Sequence, residues 1–274
     1  MIYTADVIVV GAGPAGMMAA LQAAGKGAKT LLLEKNTRPG RKLMITGKGR
    51  CNVTNDCTSQ EAIASVVTNP RFLHSAFSAF APEDTKRFFE NAGVPLKTER
   101  GRRVFPQSDK AVDIVDAMQR EVKKSGAALL NETVKTLLIE NGSLCGVRTV
   151  SGKRLYAPCV IVACGGLSYP QTGSTGDGYR LASEAGHTVT PQKPSLVPIV
   201  SKDPDCARMQ GLSLRNVGVR VFDRKKKKEL FEDFGEMLFT HFGISGPVVL
   251  SAGSHIREME PGRYVFKIDL KPAL

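Results

Sequence analysis

The sequence predicts an α/β protein in which a parallel sheet precedes a smaller β-rich region. The apolar, β-branched run Asp6–Val10 is typical of a buried parallel strand. A glycine-rich turn, an alanine-rich helix over Pro14–Ala24 and a second apolar strand, Thr30–Leu33, follow it directly. From Pro194 onwards, prolines become frequent and short alternating runs such as NVGVRVFD appear. We therefore expect two domains, 1–193 and 194–274, of which the second is β-rich.

Composition excludes several classes of protein. The 274 residues include 38 basic and 26 acidic side chains, a formal net charge of +12 that suits nucleic acid, a membrane surface or a phosphate site. The six cysteines form no CxxC pair, so we expect neither a disulfide framework nor a metal site. The N-terminal segment lacks a signal-peptide pattern, and no apolar run approaches the roughly 20 residues that span a bilayer. We expect a soluble, cytoplasmic protein.

The middle of the chain is predicted to combine helices, a hairpin and a meander. Pro82 separates two helices in NPRFLHSAFSAFAPEDTKRFFENAG, and VPLKTERGRRVFP is typical of a hairpin. The segment DKAVDIVDAMQREVKKSG has the pattern of an amphipathic helix. Turn signals at Asn141-Gly142 and Ser151-Gly152 predict a three-stranded meander that leads to a buried strand, Cys159–Cys164.

Two glycines end that last strand. Gly165 and Gly166 are followed by a glycine-rich segment, and a helix begins near Asp177. A strand followed by a small-residue turn suits a cofactor that lies across strand ends, although an ordinary Gly/Ser loop has the same composition.

The turn after the first strand carries the pattern GxGxxG. Gly11 permits a tight turn, Gly13 lets the backbone approach a pyrophosphate, and Gly16 lets helix and strand pack closely. Pro14 and Ala15 open the helix, whose unpaired N–H groups attract phosphate. Glu34 follows Gly11 by 23 positions, the spacing of the acidic residue that binds a ribose hydroxyl, and Lys35 comes next. The sequence therefore predicts a Rossmann-like dinucleotide site that prefers an unphosphorylated ribose.

A basic, glycine-rich stretch, RPGRKLMITGKGRCN, follows the second strand. It has five basic residues and no acidic one. A solvated loop or a nucleic-acid patch would have this charge, but the stretch lacks the aromatic residues that stack on bases. We expect Arg41 and Lys42 to neutralise a pyrophosphate. We expect Gly47, Lys48 and Gly49 to approach a flat ring, where a positive charge stabilises a reduced flavin.

Six segments together resemble one family. GAGPAGMMAA, PGRKLMITGKGRCNVTN, GRRVFPQSDKAVDIVDAM, CGGLSYPQTGSTGDGY, PSLVPI and GEMLFTHFGISGP occur in this order. The sequence is similar to bacterial NAD(P)/FAD-dependent oxidoreductases, the aminoacetone-oxidase-like or BaiN-like flavoproteins. The resemblance implies a two-dinucleotide-binding-type FAD domain with an inserted, barrel-like β domain and a small helical domain. Family members are longer, so we expect the chain to be truncated at its C-terminus, inside the insertion.

The resemblance also implies a set of cofactor contacts. FAD would bind noncovalently, and the backbone of Val134 would meet the adenine. The stretch from Arg41 to Asn52 would line the cofactor, which adds these residues to the predicted site: Arg50, Cys51 and Asn52.

The functional expectation is hydride transfer from NAD(P)H, docking transiently, through FAD to an organic acceptor, with a conjugated enone as one candidate. The expected partner is a small-molecule substrate, with no nucleic acid and no membrane; the oligomeric state and the catalytic residues are left open. Alternatives are an FAD-dependent amine oxidase that uses oxygen, a basic nucleic-acid-binding protein, and an inactive, truncated FAD-binding remnant.

Overall fold

The computed structural model describes residues 4–272, which divide after Val189 into two compact units. Sequence-based expectations for the first three and the last two residues lie outside the described residues. The sequence places the domain boundary at 193/194, and the assignment of a function to each domain stays a prediction. No helix in the described range is long and apolar enough to cross a membrane.

Within residues 4–189, the first unit contains ten strands and six α-helices. The strands are β1 (Val7–Val10), β2 (Thr30–Glu34), β3 (Thr54–Asn55), β4 (Leu96–Glu99), β5 (Arg103–Pro106), β6 (Ala128–Asn131), β7 (Val134–Glu140), β8 (Ser143–Thr149), β9 (Arg154–Tyr156) and β10 (Cys159–Val162). The helices are α1 (Pro14–Gly25), α2 (Ser59–Ala64), α3 (His74–Ala79), α4 (Pro82–Asn91), α5 (Ala111–Lys124) and α6 (Asp177–Glu184). Three 3₁₀ helices span Leu43–Gly49, Pro70–Leu73 and Pro170–Thr172.

A four-stranded parallel sheet confirms the predicted α/β fold. Its strand order is β10-β1-β2-β6, and every neighbouring pair is parallel. Side chains alternate between its two faces. Val9 and Leu32 pack with Met17 of α1 and Ile114 of α5, whereas Ile8 packs on the opposite face with residues of the meander β7-β8-β9. Helices, parallel sheet and meander thus form three layers.

The local predictions for the middle of the chain are also confirmed. The α3 helix ends before Pro82, which opens α4, and the N–H of Ala81 donates to the carboxylate of Asp84 at 2.8 Å. Strands β4 and β5 form the predicted antiparallel hairpin. The Asn141-Gly142 turn joins β7 to β8 with both residues at positive φ.

The expectation that Cys159–Cys164 is a buried strand is wrong. The strand ends at Val162, and the side chains of Ile161 and Val162 are each 39% exposed. The reason is its position in the sheet: among the described residues β10 pairs with β1 alone, so it is an edge strand. An apolar sequence cannot distinguish an edge strand from a central one.

The second unit is built on a five-stranded antiparallel sheet. Its elements are β11 (Ile199–Val200), α7 (Pro204–Arg208), β12 (Ser213–Asp223), β13 (Lys228–Thr240), β14 (Gly243–Ser245), α8 (Pro247–His255) and β15 (Tyr264–Asp269). The strand order is β11-β14-β13-β12-β15. Val219 of β12, Met237 of β13 and Val249 of α8 form its buried core. The basic residues 224–227 form the turn of the β12–β13 hairpin.

Candidate dinucleotide-binding site

The glycine turn joins β1 to α1 through close backbone contacts. The N–H of Gly11 donates to the carbonyl oxygen of Leu33 at 2.7 Å. A Cβ atom at Gly16 would lie 1.8 Å from the carbonyl oxygen of Gly11, so only glycine fits at position 16. A Cβ atom at Gly13 would meet nothing within 4 Å. Gly13 therefore borders open space at the start of α1, where the first N–H groups of the helix have no intrahelical partner.

Glu34 connects the end of β2 to this turn. The side chain is 7% exposed, and Oε2 accepts a hydrogen bond from the N–H of Ala12 at 2.7 Å. Oε1 accepts from both the backbone N–H and the side-chain amide of Asn36, at 2.8 and 2.7 Å. The carboxylate is thereby fixed at the carboxyl edge of the parallel sheet.

The basic segment after β2 is held against the glycine turn. The N–H of Gly40 donates to the carbonyl oxygen of Ala12 at 2.9 Å. Arg41 donates to Oδ1 of Asn36 at 3.0 Å, and Nζ of Lys42 donates to the hydroxyl of Ser174 at 2.6 Å. Within residues 4–272 neither cation forms an ion pair with a carboxylate, so their charge is available to an anion.

A loop that we call the 165–176 loop, from Gly165 to Gly176, closes the other side. Lys35 donates to Thr175 at 2.6 Å and to the carboxylate of Asp177, the first residue of α6, at 2.7 Å. Burial alone would raise the pKa of Asp177, but the hydrogen bonds from Lys35 and Thr175 outweigh burial and hold this pKa below its ordinary value. Asp177 is therefore an anion that neutralises Lys35 at neutral pH.

The glycine turn, Glu34, the basic segment and the 165–176 loop surround a cavity of about 290 Å³. Ten of the residues predicted from the sequence line it: Gly11, Gly13, Pro14, Ala15, Glu34, Lys35, Arg41, Lys42, Val134 and Gly165. The structure thus brings together the turn, the acid, the two cations expected to neutralise a pyrophosphate and the residue predicted to meet the adenine.

Other predicted residues lie outside this lining. They are Gly16, Gly47, Lys48, Gly49, Arg50, Cys51, Asn52 and Gly166. Gly16 acts in packing, as described above. Arg50 donates to the carboxylate of Glu99 at 2.9 Å, and its guanidinium lies 4.1 Å from the centre of the Phe105 ring. The assignment of residues 47–52 to a flat ring stays a prediction.

Sequence reasoning missed several lining residues, including Asn36, Gly40, Cys164, Gly173, Ser174 and Leu181. Asn36 offered a weak signal, because it follows the acidic residue by two positions on the same sheet edge. Ser174 is more than 130 residues away from Lys42 in sequence, so only the fold shows that they meet.

The lining fits the adenosine-diphosphate half of FAD. Gly13 leaves open space that a side chain would fill, and the first N–H groups of α1 have no partner within the helix. Two cations that form no ion pair with any described residue, Arg41 and Lys42, face the same cavity. The volume is at the lower end of the range for small-molecule sites, about 300 to 1,000 Å³, which suits part of a dinucleotide. Thr133 and Val134 border the cavity at the start of β7, where an adenine can pack.

Comparison with known proteins gives one family match and several curated relatives. The family described as "HI0933-like protein Rossmann domain" matches residues 5–246. The chain is 32% identical over 250 residues to the 3-dehydro-bile acid delta(4,6)-reductase of Clostridium scindens, covering 90% of this chain and 59% of the relative. It is 32% identical over 269 residues to the ribosomal RNA dihydrouridine synthase of Escherichia coli, covering 97% of this chain and 64% of that relative.

The chain therefore spans about three fifths of the length of these curated relatives. Among solved structures, it is similar in fold to the 3-ketosteroid-delta4-(5alpha)-dehydrogenase of Rhodococcus jostii RHA1. That match has a TM-score of 0.53 and 15% identity, and covers 81% of this chain and 67% of the other. The family match covers most of the chain and includes the glycine turn, Glu34 and the cavity, so the chain belongs to the HI0933-like Rossmann-domain family.

Proposed function

We propose that this chain is the FAD-binding part of an oxidoreductase that passes hydride from NAD(P)H, through noncovalent FAD, to a carbon–carbon double bond conjugated with a carbonyl group. The observation that carries the proposal is the cavity that joins the glycine turn, Glu34, Arg41 and Lys42. When bound, FAD supplies a ring that accepts hydride from a nicotinamide and donates it to an acceptor.

The chain's own residues supply binding and charge. The N-terminus of α1 and the side chains of Arg41 and Lys42 hold the pyrophosphate. Glu34 accepts a hydrogen bond from the adenosine ribose, and its negative charge disfavours a 2′-phosphate there. Val134 and Leu181, both buried, pack at the adenine end. Every one of these contacts is noncovalent.

The relatives' names support an acceptor with a conjugated double bond. A 3-dehydro-bile acid delta(4,6)-reductase saturates double bonds conjugated with a 3-oxo group, and a dihydrouridine synthase saturates the uracil double bond next to a carbonyl. In both cases the carbonyl group makes the carbon of the double bond that lies farther from it electrophilic, so that this carbon can accept hydride. We propose a small molecule of this class as the substrate. NAD(P)H-dependent reduction also agrees with the cytoplasmic location expected from the sequence.

A second candidate substrate is uridine in RNA. The dihydrouridine synthases of Escherichia coli and Haemophilus influenzae each cover 97% of this chain, at 32% and 31% identity. The net charge of +12 favours association with a polyanion. RNA binding with a steep salt dependence, and conversion of uridine in that RNA, would favour this candidate over a small molecule.

Absorbance spectroscopy of the purified chain tests the proposal. We expect the absorbance bands of added FAD to shift when it binds the chain. We expect the bands of the bound FAD to bleach when NADH or NADPH is then added under nitrogen. Failure to bind FAD in excess would contradict the proposal.

Gly13→Ala and Gly25→Ala form a matched pair for this test. Neither new Cβ atom meets any atom within 4 Å, so both variants are expected to keep the melting temperature. Only Gly13 lines the cavity, so we expect Gly13→Ala alone to weaken FAD binding, by roughly tenfold or more because the added methyl group keeps the pyrophosphate from the backbone. Equal FAD affinity in both variants would contradict the assignment of the pyrophosphate to this turn.

A further inference from the structure

The side chain of Asn36 joins three walls of the cavity. Its Nδ2 atom donates to Oε1 of Glu34 at 2.7 Å and lies 3.4 Å from the carbonyl oxygen of Thr172. Its Oδ1 atom accepts a hydrogen bond from Arg41 at 3.0 Å. One amide thus connects the acidic end of β2, the basic segment that follows it and the 165–176 loop.

The packing around this amide leaves it little freedom. Gly173 has φ +104°, and a Cβ atom there would lie 2.6 Å from Nδ2 of Asn36. The 165–176 loop can therefore lie against the amide only because position 173 is glycine. The backbone N–H of Asn36 adds a second hydrogen bond to the same Oε1 atom, at 2.8 Å.

The hydrogen bonds to Glu34 determine what its carboxylate can still accept. An ionised carboxylate has about four acceptor positions, two on each oxygen. Asn36 uses both positions on Oε1, and the N–H of Ala12 uses one on Oε2. A single acceptor position remains, on Oε2.

From this arrangement we infer that Asn36 is a positioning residue for the adenosine end of FAD and acts through Glu34. By saturating Oε1, it holds the carboxylate so that Oε2 serves both the glycine turn and one sugar hydroxyl. Asn36 therefore helps the site to distinguish a ribose from a sugar that lacks the 2′-hydroxyl. This inference rests on the proposed function, because it assigns a role within the same nucleotide site.

A purely structural role for Asn36 makes a different prediction. If the amide only stabilises the loops, its loss should weaken every nucleotide equally and lower the melting temperature in parallel. A role through Glu34 should instead change the selectivity between two ligands that differ by one hydroxyl.

Isothermal titration of the full chain with ADP and with 2′-deoxy-ADP separates the two roles. We expect the unaltered chain to prefer ADP by roughly tenfold, the effect of one hydrogen bond to a charged group. Asn36→Ala and the nearly isosteric Asn36→Asp should lose most of this preference, through weaker binding of ADP. Asn55→Ala is the matched control: Asn55 donates to the carbonyl oxygen of Gly101 and does not line the cavity, so the preference should be kept.

Glu34→Gln completes the experiment as a double-mutant cycle. If Asn36 acts through Glu34, adding Asn36→Ala to Glu34→Gln should reduce ADP affinity no further. Equal weakening of both nucleotides by Asn36→Ala, or an undiminished preference for ADP, would overturn the inference and leave the proposed function standing. Absence of ADP binding by the unaltered chain would overturn both.

Discussion

Basic side chains in the segment 38–52 have different partners, and these partners decide which charges an anion can reach. Arg50 contacts two carboxylates, at 2.9 Å to Glu99 and 3.3 Å to Asp109, so its charge is compensated within the hairpin region. Lys42 contacts only the hydroxyls of Ser174 and Ser168 among the described residues. Its charge, like that of Arg41, is therefore available to an anion in the cavity.

Replacement of Lys42 and, separately, of Lys48 gives a direct test at the scale of single residues. Lys42→Ala is expected to weaken ADP binding by roughly tenfold, because it removes a charge-assisted contact to phosphate. Lys48→Ala is the matched control from the same segment, and it should leave ADP affinity unchanged because Lys48 does not line the cavity. Fluorescence titration with a labelled ADP measures both. Equal losses in the two variants would show that only the net charge of the segment matters.

The same Lys48 variant also tests the sequence-based assignment of residues 47–49 to the flavin ring. ADP lacks that ring and FAD has it. A loss of FAD affinity without a loss of ADP affinity in Lys48→Ala would support the assignment.

Cys51 illustrates how burial limits chemistry at a single residue. The side chain is 1% exposed, and burial raises the pKa of its thiol above the ordinary value. The thiolate is the reactive form of cysteine, so Cys51 is poorly suited to nucleophilic or redox chemistry at neutral pH. Its predicted contribution to the cofactor site is therefore one of shape.

At the scale of elements, the β12–β13 hairpin is fixed by a buried ion pair. Asp223 and Arg263 are 1% and 6% exposed and are joined by two hydrogen bonds, at 2.9 and 3.1 Å. Asp223 also accepts from the backbone N–H groups of Lys225 and Lys226 in the turn. The hydrogen bonds from Arg263 are the largest influence and lower the pKa of Asp223 to about 2.

This pair makes the stability of the second unit depend on pH. A carboxyl group whose pKa is lower in the folded state stabilises that state above its unfolded pKa, about 3.9 for Asp. The contribution is then lost as the pH falls from about 4 towards 2. We expect Asp223→Asn to melt well below the unaltered chain at pH 7, and this difference to shrink across that interval. Thermal melts at several pH values measure it.

Asp205→Asn is the control for this experiment. Asp205 is exposed and pairs with the exposed Arg208 at 3.0 Å, so its replacement should change the melting temperature little at any pH. A difference between Asp223→Asn and the unaltered chain that is constant from pH 7 to pH 2 would contradict the role assigned to the ion pair.

At the scale of the whole molecule, all residues that line the cavity beside the glycine turn belong to the first unit, from Val10 to Leu181. The segment 190–196 has no helix or strand, and each of its residues is exposed. We expect brief thermolysin treatment of the native chain to cut there first, because an exposed segment without regular structure adapts readily to a protease. Mass spectrometry of the products measures the position.

The nicked protein should still bind ADP with unchanged affinity, because the cut leaves every lining residue in one fragment. A first cut within the 165–176 loop would contradict the prediction. So would a loss of ADP binding that accompanies cleavage at 190–196.

The sequence by itself determined the local features of this protein. The apolar strand runs, the GxGxxG turn, the acid at Glu34 and the Asn-Gly turn depend on contacts between residues near in sequence or on backbone rules that hold in any fold. For this reason the α/β class, the parallel sheet around the turn and nine of the cavity-lining residues could be predicted from the residues themselves, whereas the tenth, Val134, was implied by the family resemblance.

Only the tertiary structure decided which distant residues meet. Lys42 reaches Ser174 across the cavity, Asn36 connects Glu34 to the 165–176 loop, and Arg50 turns to Glu99. Strand β10 is exposed because it occupies an edge of the sheet, although its sequence is as apolar as that of β1. These features depend on chain segments that are distant in sequence and are brought together by packing. The hydrophobic pattern and the spacing of motifs do not predict which segments will pack together.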